Sequence, residues 1–175
     1  KVGNWLIHRK KTVLLKTTSS IASSIELLYN NTIETHLKTI AETNITFMKS
    51  LYKLVQENKL TIEQAKKILE NFFLNQRFGQ NGHIYTLNVK NAPQKILIDY
   101  HPNFPTGYDI TRLKKLYMLG KGYFHCKMKF PGSIKIQENI SYTVDFKPWN
   151  IVLVVVTIKS ELKSLLTIKK VNKFL

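Results

Sequence analysis

The stretch KILIDYHPNFPTGYD, residues 95–109, ends an apolar run on Asp99, Tyr100 and His101, then breaks on Pro102, Pro105 and Gly107. A carboxylate, a phenol and an imidazole in a row can ligate a metal, act as a catalytic base, rim a ligand pocket or brace a turn. The other chemistry-bearing residues narrow that choice. No G-x-S-x-G segment occurs, so the strained serine of a Ser-His-Asp hydrolase is not signalled. Glu26, Glu34 and Glu42 fall on the solvent-facing spacing of a helix, not as a facing carboxylate pair. The five histidines (His8, His36, His83, His101 and His125) form neither H-E-x-x-H nor H-x-H. His83, His101 and His125 lie on predicted strands of one sheet, which leaves a histidine-centred metal-binding domain as an alternative reading. Hydrogen-bonded sheet histidines are the commoner outcome of such spacing. The single Cys126 excludes an intrachain disulfide and any zinc cluster built on several thiolates; it is expected to be a reduced, structural residue.

These groups are positioned by elements that the punctuation of the chain makes visible. All five prolines lie between Pro93 and Pro148, and only Gly3 and Gly79 fall outside the segment from Gly82 to Gly132. The front half is therefore nearly free of breakers and the back half is punctuated. Leu14, Ile21, Ile25 and Leu28, then Leu37, Ile40, Phe47, Met48, Leu51 and Val55, recur at helical spacing and predict one or two long helices over about residues 4–57. At 1.5 Å per residue such a helix is longer than a small domain is wide, so it must project beyond the core or pack along its whole edge. NKLTIEQAKKILENFF starts a second helix with Thr61 and Gln64 as a capping box, ending near Asn75. Strands are predicted at about 83–89 and 94–100, a short helix capped by Asp109 follows, and three further strands are GYFHCKMKF, IKIQENISYTVDF and NIVLVVVTI. The last is apolar on both faces and should be central. From KSELKSLL onward the helical period returns. The order reads as an α+β fold: a five-stranded antiparallel sheet with helices on one face.

Of the 175 residues, 27 are basic and 11 acidic, a net charge of +16. A basic nucleic-acid-binding domain is the reading this suggests first. Against it, only three of the basic residues are arginine, and the lysines are spread along the chain and not gathered on one element. Apolar content of 43% excludes a disordered chain. The longest apolar run, IVLVVV, is far short of a membrane span, and no signal-peptide pattern opens the sequence. Lys1, Arg9, Lys10, Lys11 and Lys16 at one end, and Lys169, Lys170 and Lys173 at the other, suit a domain excised from between two membrane-spanning helices, and equally suit solvated lysines with no membrane role.

LTIEQAKKILENFF, RFGQNGHIYTLN, ILIDYHPNFPTGYD, GKGYFHCKMKF and ISYTVDFKPWNIVLVVVTI occur in an order that resembles the single Cache sensor domains over about residues 5–170. The residues that carry the likeness are Arg77-Phe78-Gly79, His101-Pro102, Gly107, Gly122, Tyr142, Phe146 and Trp149. The resemblance implies a long N-terminal helix (residues 1–60), a PAS-like sensor core with a five-stranded antiparallel sheet (61–158) and an exit helix towards the membrane (159–175). It also implies the periplasmic part of a bacterial inner-membrane receptor, anchored by flanking transmembrane helices. Such receptors are chemotaxis transducers, sensor histidine kinases or diguanylate cyclases; no catalysis, no cofactor and no nucleic acid are expected, and the sequence leaves open whether the chain is a homodimer. Two departures stand out: His83 replaces the usual tyrosine after the glycine, and VLVVVT replaces the usual Gly-Thr-Gly region, which should reshape the cavity.

The ligand implied is a small molecule, with a short carboxylate favoured. A pocket for a small anion needs one fixed cation, a few hydroxyl or imidazole donors, and apolar walls. Arg77, before the first strand, is the expected carboxylate clamp. Tyr85 shares a strand face with His83, and His101 closes the next strand. Tyr123 shares a face with His125, while Tyr142 and Lys147 border the last hairpin. Arg77, Tyr85, His101, Tyr123, Tyr142 and Lys147 are the candidate ligand contacts, and Trp149 is expected to pack at the strand entry.

Overall fold

The computed structural model describes residues 2–76, 78–79, 81–88, 96–99, 121–129 and 134–161. Two compact units divide at residues 33 and 34. The breaker-free front half is one uninterrupted helix, α1 (Val2–Gln56). In the first unit, every side chain from residue 7 to residue 28 is exposed, including the predicted stripe of Leu14, Ile21, Ile25 and Leu28. Hydroxyls along this stretch bond back to the preceding turn, as Thr12 does to the His8 carbonyl at 2.9 Å and Thr18 to that of Leu14 at 2.9 Å. They are thereby satisfied without tertiary partners.

In the second unit the helical period becomes a packed face. Leu37, Ala41, Ile45, Met48 and Leu51 are buried at three- and four-residue intervals. α1 stops where Asn58 takes the left-handed conformation (φ 55°), and the Lys59 N–H returns to the Leu54 carbonyl at 2.9 Å. Asparagine here does the work that glycine usually does at a helix C-terminus. The capping box then opens α2 (Ile62–Asn75): the Gln64 N–H donates to Thr61 Oγ1 at 3.1 Å and the Thr61 N–H to Gln64 Oε1 at 2.8 Å. α2 packs on α1 through Phe72 and Phe47, whose ring centroids are 4.0 Å apart. A second tie is polar. The amides of Asn44 and Gln76 exchange hydrogen bonds of 3.0 and 2.6 Å, which satisfies an asparagine that is fully buried.

Five strands follow: β1 (His83–Asn88), β2 (Ile96–Asp99), β3 (Gly122–Lys129), β4 (Ile136–Phe146) and β5 (Ile151–Ile158). They form one antiparallel sheet in the order β2-β1-β5-β4-β3. β5 is central, as its doubly apolar sequence requires, and all eight of its residues are buried. The β4–β5 connection is a single 3-10 turn, Lys147–Trp149, closed by Asn150 in the left-handed conformation (φ 53°). The predicted helix capped by Asp109 lies outside the described residues. Residues 159–161 begin a helical turn after β5, and the remainder of the expected exit helix also lies outside them.

Candidate ligand-binding face

Directly opposed residues in neighbouring strands share a face, so the register sorts the side chains. One face carries Ile84 and Thr86 of β1, Leu153 and Val155 of β5, Ile140, Tyr142 and Phe146 of β4, and Tyr123 and His125 of β3. α1 packs here. Tyr52 meets Phe146 and Trp149 edge-on, each at 6.3 Å between centroids, and the Tyr123 hydroxyl donates to the Glu34 carbonyl at 2.8 Å.

The opposite face is built differently. His83, Tyr85 and Leu87 of β1 stand beside Val156, Val154 and Val152 of β5. Those valines stand in turn beside Ser141, Thr143 and Asp145 of β4, and Phe124 and Gly122 of β3 complete the rows. Tyr85, Leu87, Val152, Val154, Val156 and Ile158 form one buried apolar cluster, with Phe124 packed on it. The result is a valine floor with an aromatic side and a hydroxyl side.

The hydroxyl side is chemically unusual. Ser141 is 0% and Thr143 2% exposed, and neither hydroxyl has a hydrogen-bond partner among the described residues. An unsatisfied buried hydroxyl costs about 1–3 kcal/mol. On the helix-packed face Thr86 and Thr157 are in the same condition. What distinguishes Thr143 is its neighbour: it opposes Gly122, and a Cβ placed there would meet no described atom within 4 Å. At the rim, Asp145 is paired with Lys121 at 2.7 Å. On the aromatic side the His83 and Tyr85 rings stack at 5.6 Å, and His83 Nδ1 lies 3.2 Å from the Asn81 carbonyl oxygen.

The turn that delivers β1 to this face depends on two glycines. Gly79 has φ +70°, where a side chain is strained, and Phe78 bridges to Gly82. A Cβ on Gly82 would lie 1.9 Å from the Phe78 carbonyl oxygen, so no other residue fits. The turn is held by Glu161, just beyond the end of the neighbouring β5, which accepts from the Asn81 N–H at 3.0 Å and from the Asn81 side-chain amide.

Among the sequence candidates, Tyr85 is buried on the valine-floored face. Tyr123 and Tyr142 are a cross-strand pair, 4.7 Å between centroids, on the helix-packed face. The sheet itself stands between Tyr85 and that pair, so the structure does not bring the three together. Lys147 is exposed in the β4–β5 turn. Arg77 and His101 lie outside the described residues. Trp149 packs against Phe146 at 5.1 Å, as expected of a strand-entry residue.

Burial, reinforced by Tyr142 and the carboxylates of Glu34 and Glu42, pushes the Tyr123 phenol above its ordinary pKa, so it stays a donor. Burial also pushes the Cys126 thiol up, which opposes nucleophilic reactivity. His83 and His125 rise from opposite faces. His125 has its ring nitrogens 3.8 Å from Glu34 and 4.0 Å from Glu138, and Lys159 reaches Glu138 at 3.1 Å. Among the described residues no three metal-ligating groups converge, and no helix is long and apolar enough to cross a membrane.

The burial of Ser141 and Thr143 is not legible in the sequence. In ISYTV the hydroxyls alternate with apolar residues, and such alternation ordinarily places the polar set in water. Here both faces of β4 are covered.

No protein-family model matches the chain, and a search of curated proteins finds no relative. Solved structures do share its fold. One is a Cache chemosensory domain described for its recognition of carboxylic acids, 14% identical, TM-score 0.59, covering 73% of this chain and 94% of that one. Another is the periplasmic sensor domain of a chemotaxis protein, 13% identical, TM-score 0.58, covering 71% and 94%. A third is a methyl-accepting chemotaxis protein from Vibrio parahaemolyticus, 14% identical, TM-score 0.56, covering 75% and 92%. The long helix and the antiparallel sheet are those of the Cache, PAS-like fold.

Proposed function

We propose that this chain is the extracytoplasmic ligand-sensing domain of a bacterial transmembrane signalling receptor, and that it binds a small molecule, with a short carboxylate favoured. The observation that carries this reading is the two-sided sheet. One face is occupied by α1, while the other presents a buried valine floor flanked by Tyr85 and by two hydroxyls, Ser141 and Thr143, without a partner among the described residues. An apolar surface with few oriented polar groups is what a small-ligand site requires, and it is a poor surface for nucleic acid. The likeness to periplasmic and chemotaxis sensor domains, one of them described for carboxylic acid recognition, supports the same reading.

In this proposal Arg77 supplies the fixed positive charge and His101 and Tyr85 supply orientation. Tyr123 and Tyr142, between β3–β4 and α1, sit where a shift of the sheet would reach the helix. Ligand binding biases that equilibrium and the terminal helices carry it across the membrane. The reaction chemistry of an enzyme plays no part.

A thermal-shift screen against short carboxylates, amines and amino acids tests the ligand class. A ligand at a hundred times its Kd stabilises the fold by about 2.7 kcal/mol, an easily measured rise in Tm. No shift with any short carboxylate would refute the carboxylate reading. Fusion of alkaline phosphatase to the parent receptor at residue 175 tests the location, since the enzyme is active only outside the cytoplasm.

A further inference from the structure

We infer that His125 is a proton-operated clasp between α1 and the sheet, so that mild acid tightens the hold of β3 on the helix. The clasp itself does not depend on which ligand the domain binds; its use as a signal rests on the sensing role proposed above.

Both nitrogens of the imidazole face carboxylates. His125 rises from β3 on the helix-packed face, with Nε2 3.8 Å from Glu34 of α1 and Nδ1 4.0 Å from Glu138 of β4. A neutral imidazole has one N–H and one lone pair, so either tautomer turns a lone pair towards a carboxylate. The imidazolium has an N–H for each side. Histidine is the side chain whose charge ordinarily changes between pH 5 and 8, so mild acid completes the arrangement. All three side chains are partly exposed, and solvent screening keeps the expected effect modest.

The surrounding charges make the helix side of the clasp the proton-dependent one. Glu138 is already answered by Lys159 at 3.1 Å, and Lys127 of β3 stands opposite it in the ladder. On α1, Lys38 pairs with Glu42 at 3.8 Å and His36 is exposed, while the ion pair of Glu34 is with His125. Beside His125 on the same face are the phenols of Tyr123 and Tyr142, and burial keeps the Tyr123 phenol neutral throughout this pH range. Tyr123 supplies the other half of the geometry, because its hydroxyl donates to the Glu34 main-chain carbonyl at 2.8 Å. β3 therefore grips one residue of α1 twice, through a main-chain bond that mild acid leaves alone and a side-chain pair that mild acid strengthens. Ile33 and Leu37, which flank Glu34, are the first buried residues of α1 among those described. Fastening Glu34 thus fastens the beginning of the packed part of the helix.

The test is run without ligand on the 175-residue chain, on His125→Gln and on Glu34→Gln. Proton NMR follows the ring of His125, identified by its loss in His125→Gln, from pH 5 to pH 8.5. Glu34→Gln should move the titration midpoint of that ring to lower pH by about 0.3 or more, since a carboxylate close to an imidazole favours its charged form. An unchanged midpoint would overturn the inference. Amide hydrogen exchange then reads the helix. Corrected for intrinsic rates, the amides of residues 33–41 should exchange about threefold more slowly at pH 5.5 than at pH 7.5 in the parent, and that ratio should fall to near one in both variants. Equal pH dependence in all three proteins would mean that the imidazole does not hold the helix, and would overturn the inference while leaving the ligand reading untouched. Glu34→Gln keeps the imidazole in place, so the outcome does not hang on the folding of His125→Gln.

Discussion

Glu161 and Asn81 lie eighty residues apart in the chain, yet the Glu161 carboxylate accepts both the main-chain N–H and the side-chain amide of Asn81. The contact joins the turn that precedes β1 to the residues that leave β5. It also closes over Gly79, since a Cβ there would stand 3.2 Å from Glu161 Oε2. A charged acceptor satisfying two donors in a half-buried place is worth about 1.5–3 kcal/mol. Glu161→Ala should therefore lower unfolding stability by about that much, measured as a reduced urea midpoint at unchanged m. Glu161→Gln keeps one carbonyl acceptor and should recover part of the loss. If Ala and Gln are both neutral, the contact does not hold the turn.

The contrast between that contact and β5 shows which parts of this molecule a sequence can disclose. IVLVVV announces a strand buried on both faces, and β5 is central. The Thr61–Gln64 box is a local device and was readable as one. The Glu161–Asn81 and Asn44–Gln76 pairs join distant segments through single polar side chains, and no periodicity reports a pair of that kind. The grouping of Tyr85 with Tyr123 and Tyr142 fails for a related reason. Alternation tells which residues share a face, but it does not tell which face of the sheet meets the helix. Tyr142 and Thr143 are adjacent in the sequence and lie on opposite sides of the sheet.

The Tyr123–Glu34 hydrogen bond gives a pH-dependent prediction with a definite sign. Burial raises the folded-state pKa of Tyr123 above its unfolded value. The neutral phenol is therefore favoured by folding, and its contribution is complete below the ordinary tyrosine pKa. As pH climbs from that value through the raised one, the unfolded state ionises first and the contribution is lost. At neutral pH Tyr123→Phe should cost about 0.5–1.5 kcal/mol, the net worth of one hydrogen bond. Above about pH 10 the parent should lose stability faster than Tyr123→Phe. Parallel urea midpoints for the two proteins from pH 8 to 11 would reject this reading.

Cys126 is half-buried on β3, and its thiol pKa is raised by burial. Only the thiolate is a strong nucleophile, so alkylation by iodoacetamide at pH 8 should be at least about tenfold slower in the native protein than in 6 M urea. Cys126→Ser should keep the ligand-induced rise in Tm. A native thiol that reacts as fast as the denatured one, or a serine variant that folds but no longer responds, would show that the residue is more than structural.

The reciprocal amide pair of Asn44 and Gln76 separates the cost of an orphaned polar group from the worth of a bond. Asn44 is fully buried. Asn44→Leu leaves the Gln76 amide without its partner and should cost about 1–3 kcal/mol. Adding Gln76→Leu removes the orphan, and the double variant should regain most of that loss. A double variant less stable than Asn44→Leu would mean that the pair contributes net stability well beyond the penalty of breaking it.

Arg77 carries the proposed recognition of charge, and both of its neighbours are anchored independently of it. Gln76 is tied to Asn44, and Phe78 is buried and bridges to Gly82. Substitution at Arg77 should therefore leave the fold intact, so that a change in binding can be attributed to the side chain. A charge-assisted hydrogen bond lost from a buried site is worth about 1.5–3 kcal/mol, which corresponds to roughly tenfold to a hundredfold in Kd. Arg77→Ala should weaken binding of a short carboxylate by that factor while the ligand-free Tm stays within a degree or two of the parent. Arg77→Lys should recover only part, because an ammonium cannot reproduce the two parallel N–H donors of a guanidinium. Isothermal titration of the three proteins with one carboxylate decides the matter. If Arg77→Ala binds as tightly as the parent, the clamp is elsewhere or the ligand is not an anion, and Tyr85 and His101 become the first positions to substitute.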